Sequence, residues 1–262
     1  MSEAQIIPAA FVSHGSPMVA LEHGPYQLAL ERFGEQLHPA AIAVVSAHWT
    51  SGAGVRLTSA ANHHLIYDFG GFPKPLDELH YDAPGKPALA LRMQALLAKS
   101  PFPVRLDEAR GLDHGVWIPL RFMVPQADVP VVELSLPAAD PRALFALGQA
   151  LEPLRSEGVL ILASGGIVHN LARLDWHHRD RPAEPWAQAF DAWFADRLES
   201  RDWEALFRYR ELAPHAALAV PTSEHFDPVF IALGAVSGFA QVANIHQGFE
   251  YGSLSMRSFA LS

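Results

Sequence analysis

The chain has no cysteine in 262 residues, which excludes disulfides, thiolate metal sites and cysteine nucleophiles together. It also removes any support for an oxidising compartment. Charge is sparse: Asp, Glu, Lys and Arg make up 18% of the residues while 50% are hydrophobic, so the chain is not disordered as a whole. Positive charge is scarcer still, with 19 Lys+Arg against 28 Asp+Glu and a formal net charge of −9. Nothing here neutralises phosphates over an extended surface, so no nucleic-acid partner is expected. The N-terminal stretch from Met1 to Ile7 carries an acid where an export signal needs bases. The longest uncharged run, 22 residues from Pro228 to Phe249, is interrupted by glycines and polar residues. The Ser237-Gly238 pair divides it into a helix-like and a strand-like half, which reads as buried core and not as a membrane span. A soluble, cytoplasmic protein with no membrane partner is expected.

Short apolar runs suited to buried strands occur at Ile7–Val12, Ala41–Ser46, Val129–Leu134 and Val159–Ala163. Between them, helical spacing predicts helices over Tyr26–Gln36, Pro87–Lys99, Pro141–Ser156 and Trp186–Glu199. Alternation of this kind predicts an α/β fold, a mostly parallel or mixed central sheet with helices on both faces. Gln241–Ile245 and Ser253–Phe259 read as further strands, antiparallel at an edge. No linker separates two units, so residues 1–262 are expected to form one catalytic domain. Two irregular stretches, Asn62–Lys86 and Arg173–Glu184, are too long for ordinary connections and read as functional loops.

The abundant residue is histidine, with 14 copies. Position matters more than number. His14 follows the first strand in Phe11-Val-Ser-His-Gly-Ser-Pro17, and His48 follows the second in Val44-Val-Ser-Ala-His-Trp49. His169 lies just past Leu160-Ile-Leu-Ala-Ser-Gly-Gly166, where a buried strand breaks at paired glycines. Ligands of open α/β sheets bind outside the carboxyl ends of the strands, so these histidines point to one rim. His114, in Leu112-Asp-His-Gly-Val116, and His225, in Pro221-Thr-Ser-Glu-His225, fit the same pattern. Neutral imidazole is the commonest protein metal ligand, and several on one point suit zinc or ferrous iron. The spacing matches no compact metal motif. Asp113 beside His114 reads as a carboxylate that orients this ring as a donor to a substrate oxyanion, or as an ordinary turn. The other histidines carry no assigned role. There is no G-x-G-x-x-G fingerprint, no phosphate loop and no G-x-S-x-G nucleophile elbow.

Six motifs occur in order: Ser13-His-Gly-Ser-Pro17, Val45-Ser-Ala-His-Trp49, Tyr67-Asp-Phe-Gly-Gly-Phe-Pro73, Leu112-Asp-His-Gly-Val-Trp117, Ala163-Ser-Gly-Gly-Ile-Val-His-Asn170 and Pro221-Thr-Ser-Glu-His225. Together with Gly252-Ser-Leu-Ser-Met256, the series resembles the bacterial and plant DOPA extradiol dioxygenase family. That family lies within the LigB-type superfamily of extradiol ring-cleavage enzymes. The resemblance implies a catechol such as DOPA and O2 as partners. It implies cleavage beside the two hydroxyl carbons with both oxygen atoms inserted, giving a ring-opened semialdehyde. It implies one divalent metal per chain, Fe(II) for turnover, with zinc in the protein as purified. By resemblance, His14, His48 and His225 are metal ligands. His169 is the acid–base histidine, and a fourth ligand when zinc is bound. His114 acts on the substrate side.

Tyr67 and Trp49 are assigned to substrate binding with His114. Phe69, Phe72 and Trp117 are further candidates for the wall that stacks on a catechol ring, or for core. In other branches of the superfamily a glutamate completes the ligand set, so Glu224 and His225 both stand as candidates for the third position. Two other readings stay open: a zinc-dependent hydrolase using metal-bound hydroxide, and a non-catalytic metal-binding scaffold.

Overall fold

The computed structural model describes residues 6–236, 238 and 241–262. The acidic N-terminal stretch through Gln5, and Ser237 of the pair that divides the long uncharged run, lie outside the described residues.

Buried apolar runs become strands because both faces of the sheet are covered. In chain order the strands are β1 (Ala9–Ser13), β2 (Ala41–Thr50), β3 (Val55–Thr58), β4 (Val104–Asp107), β5 (Val131–Leu136), β6 (Val159–Gly165), β7 (Val242–His246), β8 (Phe249–Glu250), β9 (Leu254–Ser255) and β10 (Ser258–Leu261). The helices are α1 (Pro25–Glu35), α2 (Pro87–Leu97), α3 (His114–Met123), α4 (Pro141–Leu151), α5 (Pro185–Ser200), α6 (Trp203–Phe207), α7 (Tyr209–Leu212), α8 (Ala216–Ala219) and α9 (Pro228–Gly234). The sheet order is β4-β3-β5-β2-β6-β1-β10-β7, with β8 and β9 paired separately. The central block β5-β2-β6-β1 is parallel, and β10 and β7 continue it antiparallel to one edge, as expected for the C-terminal strands.

Alternation along each strand splits the core into two layers. Phe11, Val45 and Ile161 pack on one face with Met93 of α2, Leu147 of α4, Phe194 of α5 and Phe230 of α9. Val12, Val44 and Leu162 pack on the other with Leu30 of α1 and Trp117 of α3. The result is a single α/β domain with a mixed, largely parallel sheet and helices on both faces.

Several boundaries differ from the sequence reading. β2 extends to Thr50 because its pairing with β5, interrupted after Val45, resumes at Thr50 opposite Leu136. His48 therefore sits inside the irregular end of that strand and not after it. The helix expected over Pro141–Ser156 stops at Leu151 and tightens into a 3-10 turn, Glu152–Glu157, where Pro153 removes an amide donor. The strand expected over Ser253–Phe259 is broken into β9 and β10. The uncharged run supplies α9 and β7, and among the described residues no helix is long and apolar enough to cross a membrane.

Candidate metal centre and substrate pocket

The carboxyl ends of β1, β2 and β6 lie side by side because these three strands are adjacent and parallel. His14 follows β1 directly, and its backbone N–H donates to the Gly165 carbonyl at the end of β6 (3.2 Å). His48 projects from the end of β2. His225 is brought to the same rim by the Gly165-Gly166 pair. The Gly166 N–H donates to the His225 carbonyl (2.7 Å), and a Cβ on Gly165 would collide with that carbonyl oxygen. The paired glycines are thus required by close backbone approach and not by a nucleotide. Gly115 has a similar task, since a Cβ there would lie 2.5 Å from Ser46 Oγ and 3.0 Å from His48 Cδ2.

All five singled-out histidines converge. Ring centroids are separated by 4.8 Å for His14–His48, 4.0 Å for His48–His114, 5.2 Å for His14–His225 and 5.0 Å for His48–His225. His169 stacks parallel on His225, with centroids 3.5 Å apart. One ligand atom from each of His14, His48 and His114 lies within 4.8 Å of the others, a three-histidine cluster able to hold one divalent cation.

The hydrogen bonds behind the rings commit the Nδ1 atoms. A carboxylate only accepts, so Asp68 fixes the His114 tautomer: its Oδ1 takes the His114 Nδ1–H (2.8 Å), while its Oδ2 lies 3.3 Å from His48 Nδ1 as an electrostatic neighbour. His225 Nδ1 lies 3.2 Å from Glu224 Oε1, and that carboxylate also accepts from the Thr222 hydroxyl. His14 Nδ1 meets Ser164 Oγ at 3.0 Å. The Nε2 atoms of His14 and His48 then face each other at 3.2 Å. Two nitrogens each about 2.1 Å from one tetrahedral cation stand about 3.4 Å apart, so this spacing suits a shared metal. A proton is a poor substitute. Burial, then the neighbouring imidazoles, hold the His14 pKa far below its ordinary value, and the same causes bring His48 down to about 2. Burial, followed by His225, takes His169 down to about 3. Neutral rings with carboxylate-backed Nδ1–H groups are the form that binds metal. The residues fit a divalent cation, and an all-nitrogen donor set suits zinc and ferrous iron alike.

Asp113 does not orient His114. Its Oδ1 accepts from the Ser46 hydroxyl (2.7 Å) and its Oδ2 from Arg110 (2.9 Å). As the N-cap of α3 it points away from the ring one residue on, and the carboxylate that does the orienting, Asp68, comes from the long 62–86 loop.

The five histidines floor a pocket whose wall is Pro17, Phe69, Phe72, Leu171, Trp176 and Leu254. The 62–86 loop supplies Asp68, Phe69 and Phe72, and the 173–184 loop supplies Trp176, so both irregular stretches reach the site. Neither Tyr67 nor Trp49 lines the pocket. The Tyr67 ring packs on Phe69 and Trp117 while its hydroxyl donates to the Leu79 carbonyl (2.6 Å). Trp49 is buried with the Arg110 guanidinium 5.1 Å from its ring centroid. Leu171, Trp176, Leu254 and Ser164 were not distinguished by sequence, since nothing local separates them from surface or core residues of the same kind.

Comparison with known proteins agrees with this architecture. Residues 8–258 match the family described as the catalytic LigB subunit of aromatic ring-opening dioxygenase, and the chain belongs to that family. Among its relatives are proteins named 4,5-DOPA dioxygenase extradiol. The one from Escherichia coli K12 is 43% identical, over 96% of this chain and 93% of the relative. The one from Beta vulgaris is 40% identical, over 98% of this chain and 97% of the relative. A crystal structure of uncharacterized protein JW3007 from Escherichia coli K12 superposes with a TM-score of 0.82 at 38% identity, covering 98% of this chain and 100% of that one.

Proposed function

We propose that the protein is an extradiol ring-cleaving dioxygenase acting on catechols such as DOPA, inserting both atoms of O2 to give a ring-opened semialdehyde. The observation that carries this reading is the convergence of five histidines at the floor of an aromatic pocket, in a chain of this family. By the family resemblance His14, His48 and His225 hold the metal, with His169 as a fourth ligand when zinc is bound, and His114, whose ring completes the 4.8 Å cluster with His14 and His48, faces the substrate beside the cation. When bound, the metal would supply Lewis acidity that lowers the catechol hydroxyl pKa and, as Fe(II), would relay electrons from the catechol to O2.

The chain's own groups do the rest. His169 is unprotonated at neutral pH, ready to take a catechol proton at its ring nitrogen and return it to an oxygen during ring opening. His114 stands on the substrate side, where its ring packs edge-on against Phe69 of the wall (5.5 Å). Asp68, accepting the Nδ1–H, supports the positive charge His114 carries once its Nε2 has taken up a proton, the form that donates to a substrate oxyanion. Phe69, Phe72 and Trp176 sandwich the ring and exclude water. A cytoplasmic setting accords with a cysteine-free chain.

The test is oxygen uptake with DOPA and a panel of substituted catechols after anaerobic loading with Fe(II), read beside formation of a yellow product. One O2 consumed per catechol is expected. Full turnover by the zinc form, or hydrolysis without O2 uptake, would overturn the proposal. Single alanine variants separate the roles: His225→Ala is expected to lose bound metal, and His114→Ala to keep metal and lose turnover.

A further inference from the structure

We infer that Ser164 is a positioning residue of the metal centre: its hydroxyl hydrogen is drawn to the Gly115 carbonyl that Pro119 leaves open, so its oxygen holds His14 in the Nδ1–H form with the Nε2 lone pair toward the metal. In an α-helix the carbonyl of residue 115 accepts from the amide of residue 119. Residue 119 is a proline inside α3 and has no amide hydrogen. The Gly115 carbonyl lies in a buried helix turn, where an unpaired acceptor is costly, and the Ser164 hydroxyl on β6 donates to it. A hydroxyl has one hydrogen, so once Ser164 has given it away its oxygen only accepts. The atom 3.0 Å from that oxygen is His14 Nδ1, which must therefore carry the hydrogen of the contact. Ser164 and its partners are fully or almost fully buried, leaving no room for solvent to substitute. A proline one and a half turns into a neighbouring helix thus sets the tautomer of a metal-binding imidazole. The inference rests on His14 holding a metal and not on the reaction proposed above.

The experiment measures Zn2+ affinity of the metal-free protein by competition with a chromophoric chelator. Ser164→Ala removes the acceptor behind His14 and is expected to weaken Zn2+ binding about 10- to 100-fold, the range for losing a partner behind a ligand. Pro119→Ala restores an amide that takes the Gly115 carbonyl and frees the Ser164 hydroxyl to turn toward His14. It is expected to weaken Zn2+ binding several-fold while the unfolding temperature stays level or rises. The double variant is expected to bind no more weakly than Ser164→Ala alone, because both changes break one relay. A merely structural role for Ser164 predicts no loss of affinity in Pro119→Ala. Wild-type Zn2+ affinity in either single variant overturns the inference. Long-range nitrogen–proton spectra of the metal-free wild type provide a readout that needs no variant of Ser164: hydrogen on His14 Nδ1 is expected, and hydrogen on Nε2 overturns it.

Discussion

Asp68 Oδ1 accepts two hydrogens from the same residue, the ring Nδ1–H of His114 at 2.8 Å and its backbone N–H at 3.1 Å. One carboxylate oxygen therefore caps the first turn of α3 and fixes the ring that the helix begins with, while the other oxygen lies against His48. Burial pushes the Asp68 carboxyl up, but the hydrogen bonds from His114 outweigh it and hold the pKa at about 2. Asp68→Asn keeps the shape and replaces one accepting oxygen by a donor. Metal affinity is expected to fall about 10- to 100-fold, read by chelator competition, with the far-ultraviolet circular dichroism unchanged.

Gly165→Ala tests the close approach that seats His225. The new methyl would push the His225 carbonyl away, breaking its bond from Gly166 and moving the imidazole off the rim. Loss of stoichiometric metal is expected, together with destabilisation of about 1–3 kcal/mol by urea unfolding. Retention of full metal content would show that the paired glycines do not place this ligand.

Metal removal leaves a cluster of imidazoles with depressed pKa values. For His169 the unfolded value is about 6.5 and the folded value about 3. The unfolded chain thus binds the extra proton below pH 6.5, and the folded one does not. Stability of the metal-free protein is full above that pH and is lost as pH falls toward 3, at about 1.4 kcal/mol per pH unit for each such histidine. Adding Zn2+ at pH 7 is expected to raise the unfolding temperature, with a gain near 2.7 kcal/mol at a hundredfold excess over Kd. That gain is expected to hold from pH 7.5 to 5, measured by calorimetry, because His14 and His48 stay neutral in the folded chain across that range.

Glu133 lies on β5, fully buried beside the Asp113 carboxylate. Burial, and then the Asp113 carboxylate beside it, raise its pKa well above the ordinary value. The sign is opposite to that of the histidines: its contribution is complete below about pH 4.5 and declines as pH rises toward the folded pKa. Glu133→Gln is expected to fold with stability within about 1 kcal/mol of wild type near neutrality and to lose this decline. Urea midpoints from pH 5 to 8.5 check it. A parallel fall in both proteins would mean that Glu133 is ionised in the fold.

Trp176→Ala removes a wall residue that packs on Tyr251 and Phe72 without touching the histidines' Nδ1 partners. Catechol KM is expected to rise about tenfold or more, the worth of one aromatic contact, with metal content unchanged. A fall in kcat alone would place Trp176 in a different role.

Much of this centre could be read from the chain because strand-end histidines keep their meaning in any parallel sheet: His14, His48 and His169 sit where the apolar runs stop. Other parts of the chain carry mixed signals. β3 and β4 are four-residue strands with charged side chains, too short and polar for the alternation to register. Helix α3 begins His114-Gly115 and contains Pro119, two residues that argue locally for a turn; tertiary packing of Trp117 and Leu120 into the core overrides them. Asp113 reads either as the carboxylate that orients His114 or as a turn residue, and the partner 46 residues away, Asp68, is invisible to adjacency along the chain. The wall residues Leu171 and Trp176 come from loops whose course no periodicity records.

The metal-facing rings hang from strand ends and from backbone seats that tolerate no added methyl, whereas Phe69, Phe72 and Trp176 ride on two long excursions. Under the proposed function, the groups that hold the cation and those that choose the ring substituent therefore sit on separate parts of the chain. Exchanging the 62–86 and 173–184 segments with those of a relative, while retaining Asp68, should transplant a preference for one ring substituent over another and leave the cation's grip untouched.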